Sequence, residues 1–195
     1  MRKLSISIVI LALVLVTSSA LADNMDDALD AANFGDYEKA RNLWLIEADK
    51  GSAVAQANIG LLYEDGLGVP QSDKEAVKWY RMAAEQGEPR AQYYLGTAFE
   101  EGRGIPQDYQ EAAKNYHQAA TRGYVKAQYK LGLLYLKGQG VTQRTETAYA
   151  WWSVAASKGH EDAQKYKDSA QQQMTPKQIE TAQGIAQQIW TELGN

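Results

Sequence analysis

The chain has 195 residues, 24 acidic against 20 basic side chains, a formal net charge of −4 and no cysteine. An acidic chain lacks the basic footprint that nucleic acid or an anionic membrane surface requires, so neither is expected as a partner. Without cysteine there is neither a disulfide framework nor a lipidation site, and a composition of 45% hydrophobic and 23% charged residues is that of a folded soluble protein.

Met1-Arg2-Lys3 leads into an uncharged, mostly apolar run from Leu4 to Val16, then Thr17-Ser18-Ser19 and Ala20-Leu21-Ala22. A charged start, a short apolar stretch and an A-x-A site read as a secretory signal peptide over 1–22, cleaved after Ala22. The apolar run is too short for an uncleaved anchor, since a spanning helix needs roughly 20 residues. The expected product is exported, periplasmic or fully secreted, with no membrane insertion after cleavage.

Beyond residue 22 a period of 36 residues dominates. Gly51, Gly87, Gly123 and Gly159 share it, as do Gly60, Gly96 and Gly132, then Gly66, Gly102 and Gly138, then Gly68, Gly104 and Gly140. Ala55, Ala91, Ala127 and Ala163 follow the same spacing, with Gln56, Gln92, Gln128 and Gln164 beside them. Later in each unit come Ala76, Ala112 and Ala148, then Tyr80, Tyr116 and Trp152, then the Ala-Ala pairs 83–84, 119–120 and 155–156. A half repeat over 23–51 therefore precedes three full repeats at 52–87, 88–123 and 124–159.

Each full unit reads as two helices. Ala55, Ile59, Leu62 and Tyr63 recur at helical spacing in the first, and Ala76, Trp79, Tyr80, Ala83 and Ala84 in the second, with the breaker-rich turn Asp65-Gly66-Leu67-Gly68-Val69-Pro70-Gln71 between. Ser72-x-x-Glu75 and Asp108-x-x-Glu111 have the form of capping boxes, and the glycine closing each unit suits a left-handed C′ position. Gly60, Gly96 and Gly132 fall inside the first helix, where each costs about 1 kcal/mol relative to alanine. Close approach of a large aromatic such as Trp79 or Trp151 is the expected compensation. The second unit has Asn115 at that tryptophan position, so looser packing is expected there.

After Gly159 the pattern decays over 160–195, with Asp168 where the helix glycine would stand. Thr175-Pro176-Lys177-Gln178 then starts a new helix, with Ile179, Ala182, Ala186, Ile189, Trp190 and Leu193 on one face. Such a helix caps the apolar end of an array.

The string Ala-x-x-x-Leu-Gly-x-x-Tyr-x-x-Gly-x-Gly-Val, followed by Ala-x-x-Trp-Tyr-x-x-Ala-Ala-x-x-Gly, resembles the Sel-one-like repeat family, relatives of tetratricopeptide repeats. Residues 52–87 carry it most fully and about 30–170 follow it, while the third unit departs with Thr142 and Arg144 in its loop. The resemblance implies an all-α, right-handed α-solenoid of antiparallel helix pairs with a concave groove. It also implies a scaffold for protein or peptide partners, often in bacterial signalling or envelope assembly.

Chemistry is sparse by comparison. His117 and His160 are the two histidines, both read as solvated surface residues, and no metal-binding, phosphate-binding or nucleophile motif occurs. No catalytic residue, metal or cofactor is assigned. The repetition of Gly-x-Gly in every unit marks turn geometry, and the carboxylate pairs Glu64/Asp65 and Glu100/Glu101 read as polar helix ends. Cysteine-rich members of the resembled family have been described as β-lactam binding or hydrolysing, but this chain has no cysteine to carry that over.

Charge is uneven: six acids and no base between Asp23 and Glu38, and Arg122, Lys126, Lys130, Lys137 and Arg144 with no acid between Arg122 and Arg144. If first helices line the groove, as the resemblance implies, its variable columns are Asn58, Tyr94 and Lys130; Leu61, Thr97 and Leu133; and Asp65, Glu101 and Lys137. Tyr93 and Tyr129 join them, because tyrosine gives large contact area at low entropic cost. The function expected is a periplasmic interaction scaffold; a cell-wall-active or β-lactam-binding enzyme and a secreted host-interacting virulence factor are the alternatives.

Overall fold

The computed structural model describes residues 24–194; the signal-peptide reading falls outside them. Among the described residues there are ten helices and no strand. They are α1 (24–33), α2 (Tyr37–Asp49), α3 (Ala53–Asp65), α4 (Asp73–Glu85), α5 (Pro89–Glu101), α6 (Tyr109–Thr121), α7 (Val125–Lys137), α8 (Thr145–Ser157), α9 (Glu161–Gln173) and α10 (Pro176–Glu192). The fold is all-α, built from helices packed in consecutive pairs.

Two compact units divide between Trp79 and Tyr80. In the first, α2 packs on α3, and Ala28, Ala40, Trp44, Ala55, Ile59 and Leu62 form the buried core. Glu47 is fully buried there and receives hydrogen bonds from Asn24 Nδ2 and Lys50 Nζ, each at 2.9 Å. Burial raises its pKa, yet the Asn24 and Lys50 contacts outweigh that and leave it below the usual carboxylate value. In the second unit α5 packs on α6, α6 on α7, α7 on α8 and α8 on α9, and α10 returns onto α8. Ala182 and Ile189 are the buried contacts of α10, which starts with a complete capping box between Thr175 and Gln178.

The inter-helix turn repeats in atomic detail. Gly66, Gly102 and Gly138 end the first helices in the left-handed conformation. Gln71, Gln107 and Gln143 each reach back from the turn, their Nε2 atoms donating to the carbonyls of Glu64, Glu100 and Leu136 at 2.7–2.8 Å. These glutamines satisfy carbonyls that a helix C-terminus leaves without partners. Two residues after the cap, Gly140 lies so close to the main chain of Tyr109 that any Cβ would overlap it, and Gly68 meets Tyr37 in the same way. Turn geometry and close approach account for the Gly-x-Gly pattern, as expected.

The far end of each unit is equally defined. After α6, Gly123 (φ 83°) donates to Ala120 and Tyr124 donates to Ala119, both at 3.0 Å, a Schellman motif. The same alanine carbonyls serve the recurring glutamine: Gln92 Nε2 donates to Ala84 O at 3.3 Å and Gln128 Nε2 to Ala120 O at 3.1 Å. Gln164 instead bonds Asp168, where the pattern decays. The expected capping boxes of α4 and α6 are half realised. Ser72 and Asp108 accept from helix N–H groups, but Glu75 and Glu111 turn outward to Lys78 and Lys114 one turn on.

Gly96 and Gly132 are indeed sites of close approach, but the aromatic differs from the one expected. A Cβ at Gly96 would stand 2.8 Å from the Tyr116 ring and 3.3 Å from the Ala112 carbonyl, and one at Gly132 would collide with the indole of Trp152. Tyr116 and Trp152 stand one position beyond the tryptophan column, and both are fully buried. One residue turns a helix by about 100°, which decides which ring faces the glycine.

Gly132→Ala should therefore unfold at lower urea although alanine is the better helix former. Overpacking of about 1–3 kcal/mol outweighs the roughly 1 kcal/mol of propensity gained. Gly184→Ala, with nothing within 4 Å of its would-be Cβ in α10, should gain up to about 1 kcal/mol. Equal or opposite shifts in the two urea midpoints would contradict the packing described.

Candidate functional site

In the second unit the first helices α5 and α7 carry most of the expected groove residues. Tyr93, Tyr94 and Thr97 lie on α5; Tyr129, Lys130, Leu133 and Lys137 lie on α7. Tyr94 stacks on Tyr80 at 5.2 Å between ring centroids and meets Tyr93 edge-on at 5.3 Å. Tyr93 also contacts Tyr116 at 5.7 Å and Tyr124 at 5.2 Å. Five tyrosines from α4, α5, α6 and the turn before α7 thus form one continuous cluster.

A polar knot adjoins it. The Tyr116 hydroxyl donates to Glu100 Oε2 at 2.5 Å, and Lys130 Nζ reaches the same oxygen at 2.9 Å. Since the single hydroxyl proton of Tyr116 is given to Glu100, the 3.0 Å contact between Tyr116 and Thr97 Oγ1 requires Thr97 to donate. Thr97 Oγ1 also lies 3.1 Å from the Tyr93 carbonyl and divides its one proton between the two. Burial and the Glu100 charge both raise the Tyr116 pKa, so this tyrosine stays neutral as a donor.

A second aromatic group lies on α7, α8 and α9. Tyr129 stacks on the His160 imidazole at 4.6 Å and touches Tyr166 at 5.7 Å, while Tyr166 leans on Trp152 at 5.2 Å. His160 is not merely a solvated surface residue: its Nδ1 accepts from Ala163 N at 3.3 Å as the N-cap of α9. His117 is exposed, with its ring edge-on to Trp151 at 6.0 Å.

Other expected positions lie apart from these clusters. Glu101 is exposed and paired with Arg103 at 2.6 Å, whereas Glu100, the neighbour left out of the expected groove, holds the knot. Leu133 packs against the core around Trp152, and Lys137 is exposed at the end of α7. In the first unit Asn58 is buried in α3, Leu61 is half-buried, and Asp65 is exposed at the helix end. Among the described residues no three His, Asp or Glu side chains converge as a metal site would require, and no helix is long and apolar enough to cross a membrane.

The Sel1 repeat family model matches residues 53–88, 89–124 and 125–160, more than half of the chain. The chain belongs to the Sel1 repeat family. Its helix pairs resemble a solved protective antigen of uropathogenic Escherichia coli strains displaying an SLR fold, with 34% identity and a TM-score of 0.75 over 80% of this chain and 33% of that one. They also resemble a Sel1 repeat protein from Oxalobacter formigenes, with 34% identity and a TM-score of 0.69 over 71% of this chain and 57% of that one. The chain thus spans a third of the first relative and somewhat over half of the second. No curated protein matches its sequence significantly. Sel1 repeat proteins are generally protein–protein interaction scaffolds and mainly non-enzymatic.

Burial, with Tyr94 and Tyr93 as further causes, pushes the Tyr124 hydroxyl up to about 12, and burial with Tyr166 and Asp162 does the same for Tyr129. Below pH 10 these tyrosines are neutral whether the chain is folded or not, and their contribution is intact. Between about 10 and 12 the unfolded chain sheds protons that the native one retains, so stability falls as pH rises through that window. Tyrosinate absorbance followed with circular dichroism should show late ionisation coupled to unfolding, and Tyr129→Phe should move the alkaline midpoint upward. Free ionisation of every tyrosine near pH 10 in a folded chain would contradict this burial.

Proposed function

We propose that this Sel1 repeat protein is an exported adaptor holding a protein or extended peptide against the first helices of its repeats, within a periplasmic signalling or assembly complex. The observation that carries the reading is the convergence of Tyr93, Tyr94 and Tyr124 with Thr97, Glu100 and Lys130 on α5, α7 and the turn before α7. Tyrosine, with a rigid ring and few torsions, is enriched where proteins recognise one another. The charged leader, apolar run and A-x-A site of residues 1–22 support export. A second location, outside the cell, is favoured by the 34% identity to a protective antigen, and fractionation of the producing cell distinguishes the two.

Lys130 is engaged by Glu100, so the steering role of the basic run falls to exposed residues such as Lys126 and Lys137. Exposed complementary charge acts on encounter rate and register more than on affinity. The test is capture of partners from envelope extract by the mature protein and by Tyr94→Ala, followed by binding kinetics on whatever only the wild type retains. Tyr94→Ala should weaken binding by about 2 kcal/mol, as an aromatic hot spot does. Joint Lys126→Glu and Lys137→Glu should slow association by about tenfold at low salt and leave dissociation nearly unchanged. A partner bound equally by all of these proteins would remove the α5–α7 surface from consideration.

A further inference from the structure

The short connection between α9 and α10 leaves one place in the repeat frame unfilled. Residues 102–108 join α5 to α6 and residues 138–144 join α7 to α8, but only Met174 and Thr175 separate α9 from α10. Elsewhere that turn supplies apolar side chains: in the first unit Leu67 and Val69 pack on the core that holds Tyr37, Trp44 and Leu62. Three periods carry Tyr37, Trp44 and Leu62 to Thr145, Trp152 and Ala170, where no such turn follows. Those three residues line a pocket of about 270 Å³ together with Leu136, Tyr166 and Met174, and none of its lining side chains is charged. Leu136 and Met174 are half-buried and Tyr166 is 40% exposed, so apolar wall is open to a partner. The volume lies below the roughly 300–1,000 Å³ of ligand sites and above the roughly 150 Å³ that admits a benzene ring, which is room for one side chain.

One period earlier the same columns hold the polar knot: Glu100, Tyr116 and Lys130 give way to Leu136, Trp152 and Tyr166. A place closed by its own ion pair thus becomes an apolar opening. The chain also carries a side chain of matching kind on a turn of its own. Phe34, between α1 and α2, is 89% exposed and falls at the same place in the period as Pro70, Pro106 and Thr142. Exposed Asp30 and Asp36 flank it in the sequence, while exposed Lys137 and Lys177 adjoin the pocket residues Leu136 and Gln178.

We propose that the pocket among α7, α8, α9 and α10 receives Phe34 from a second copy of this chain, its turn taking the place of the one missing after α9. The ring meets Tyr166, Leu136 and Met174, an aromatic and aliphatic surround that suits a phenyl group. Asp30 and Asp36 against Lys137 and Lys177 speed encounter and fix orientation. The contact is heterologous: a copy that gives its Phe34 still has an open pocket, so association continues unless the assembly closes into a ring. Tyr93 and Tyr94 take no part, so self-association and partner capture at the tyrosine cluster fail independently.

The test is sedimentation equilibrium of the purified full chain. Concentration-dependent self-association is expected, weakened at least tenfold by Phe34→Ser and about tenfold at low salt by joint Lys137→Glu and Lys177→Glu. Both lysines are exposed, so that variant reports on the contact whatever a pocket substitution does to folding. Met174→Asp, its fold checked by circular dichroism, places a charge in the pocket and should also stop growth. Mixed with Phe34→Ser it should pair one to one, because one chain keeps the pocket and the other keeps Phe34. A chain that stays monomeric at millimolar concentration, self-association unchanged by Phe34→Ser or by the lysine reversal, or folded variants that do not pair would each overturn the proposal. A monomer whose pocket binds N-acetylphenylalaninamide would equally overturn it, marking the site of a different partner.

Discussion

A ring from the second helix seated on a glycine of the first is the contact on which the rest of each full repeat in the second unit depends. It sets how closely the paired helices approach, and close approach lets the alanine columns Ala91, Ala112, Ala119, Ala120, Ala127, Ala148 and Ala155 bury completely. The ring's polar atom determines what else the repeat does. In the third repeat Trp152 Nε1 donates to the Tyr129 carbonyl at 3.2 Å, and the contact ends on main chain. Tyr116 in the second repeat carries its hydroxyl further, to Glu100, and Glu100 gathers Lys130. One exchange of aromatic type at a packing position thus turns a closed core contact into the centre of a polar knot.

The helix pairs were legible because glycine, proline and alanine report the backbone directly. A left-handed cap, a crowded turn and a buried small face each leave one permitted residue type, and these recur at fixed spacing in every unit. Side-chain direction was less legible. The expected partner of the helix glycines was the tryptophan column, and the structure selects the adjacent one, Tyr116 and Trp152. Glu101 was expected to face the groove, and its neighbour Glu100 holds the knot. Both are rotations of about 100°, within the uncertainty of a periodicity that tolerates i+3 and i+4 equally. Gln71, Gln107 and Gln143 escaped for another reason: a polar residue in a turn looks generic until its amide is seen on a helix carbonyl. Their spacing of 36 was the clue available.

Charge counted along the sequence overstates the charge available to a partner. The run from Arg122 to Arg144 contains no acid, yet Lys130 is paired with a carboxylate thirty residues upstream, on the preceding first helix. Both partners are largely buried, with side chains 24% and 16% exposed, so the pair acts as a fixed dipole between aromatic clusters. Removing either member alone would leave the other poorly solvated, which ties the polar knot to the integrity of the α5–α7 face. The expected surface is therefore aromatic and nearly neutral at its middle, with mobile charge at its edges.

Repetition also separates what stacking needs from what it does not. Any requirement of the helix pair acts on every unit alike, so a column kept in the first and third repeats and abandoned in the second is not demanded by the fold at that place. Burying an indole removes about 150–250 Å² from water, worth a few kcal/mol at roughly 25 cal/mol per Å², and the second repeat forgoes that at Asn115. The loss is local, because the Schellman turn after α6 and the Gln92 bond to Ala84 remain in place around it. A repeat that keeps every cap and turn while giving up its largest apolar side chain retains its frame and leaves an open, mostly polar groove beside Asn115. The same separation explains why Tyr116 and Trp152 share one column: either ring seats on glycine, and only the atom at its far edge changes what the surface offers.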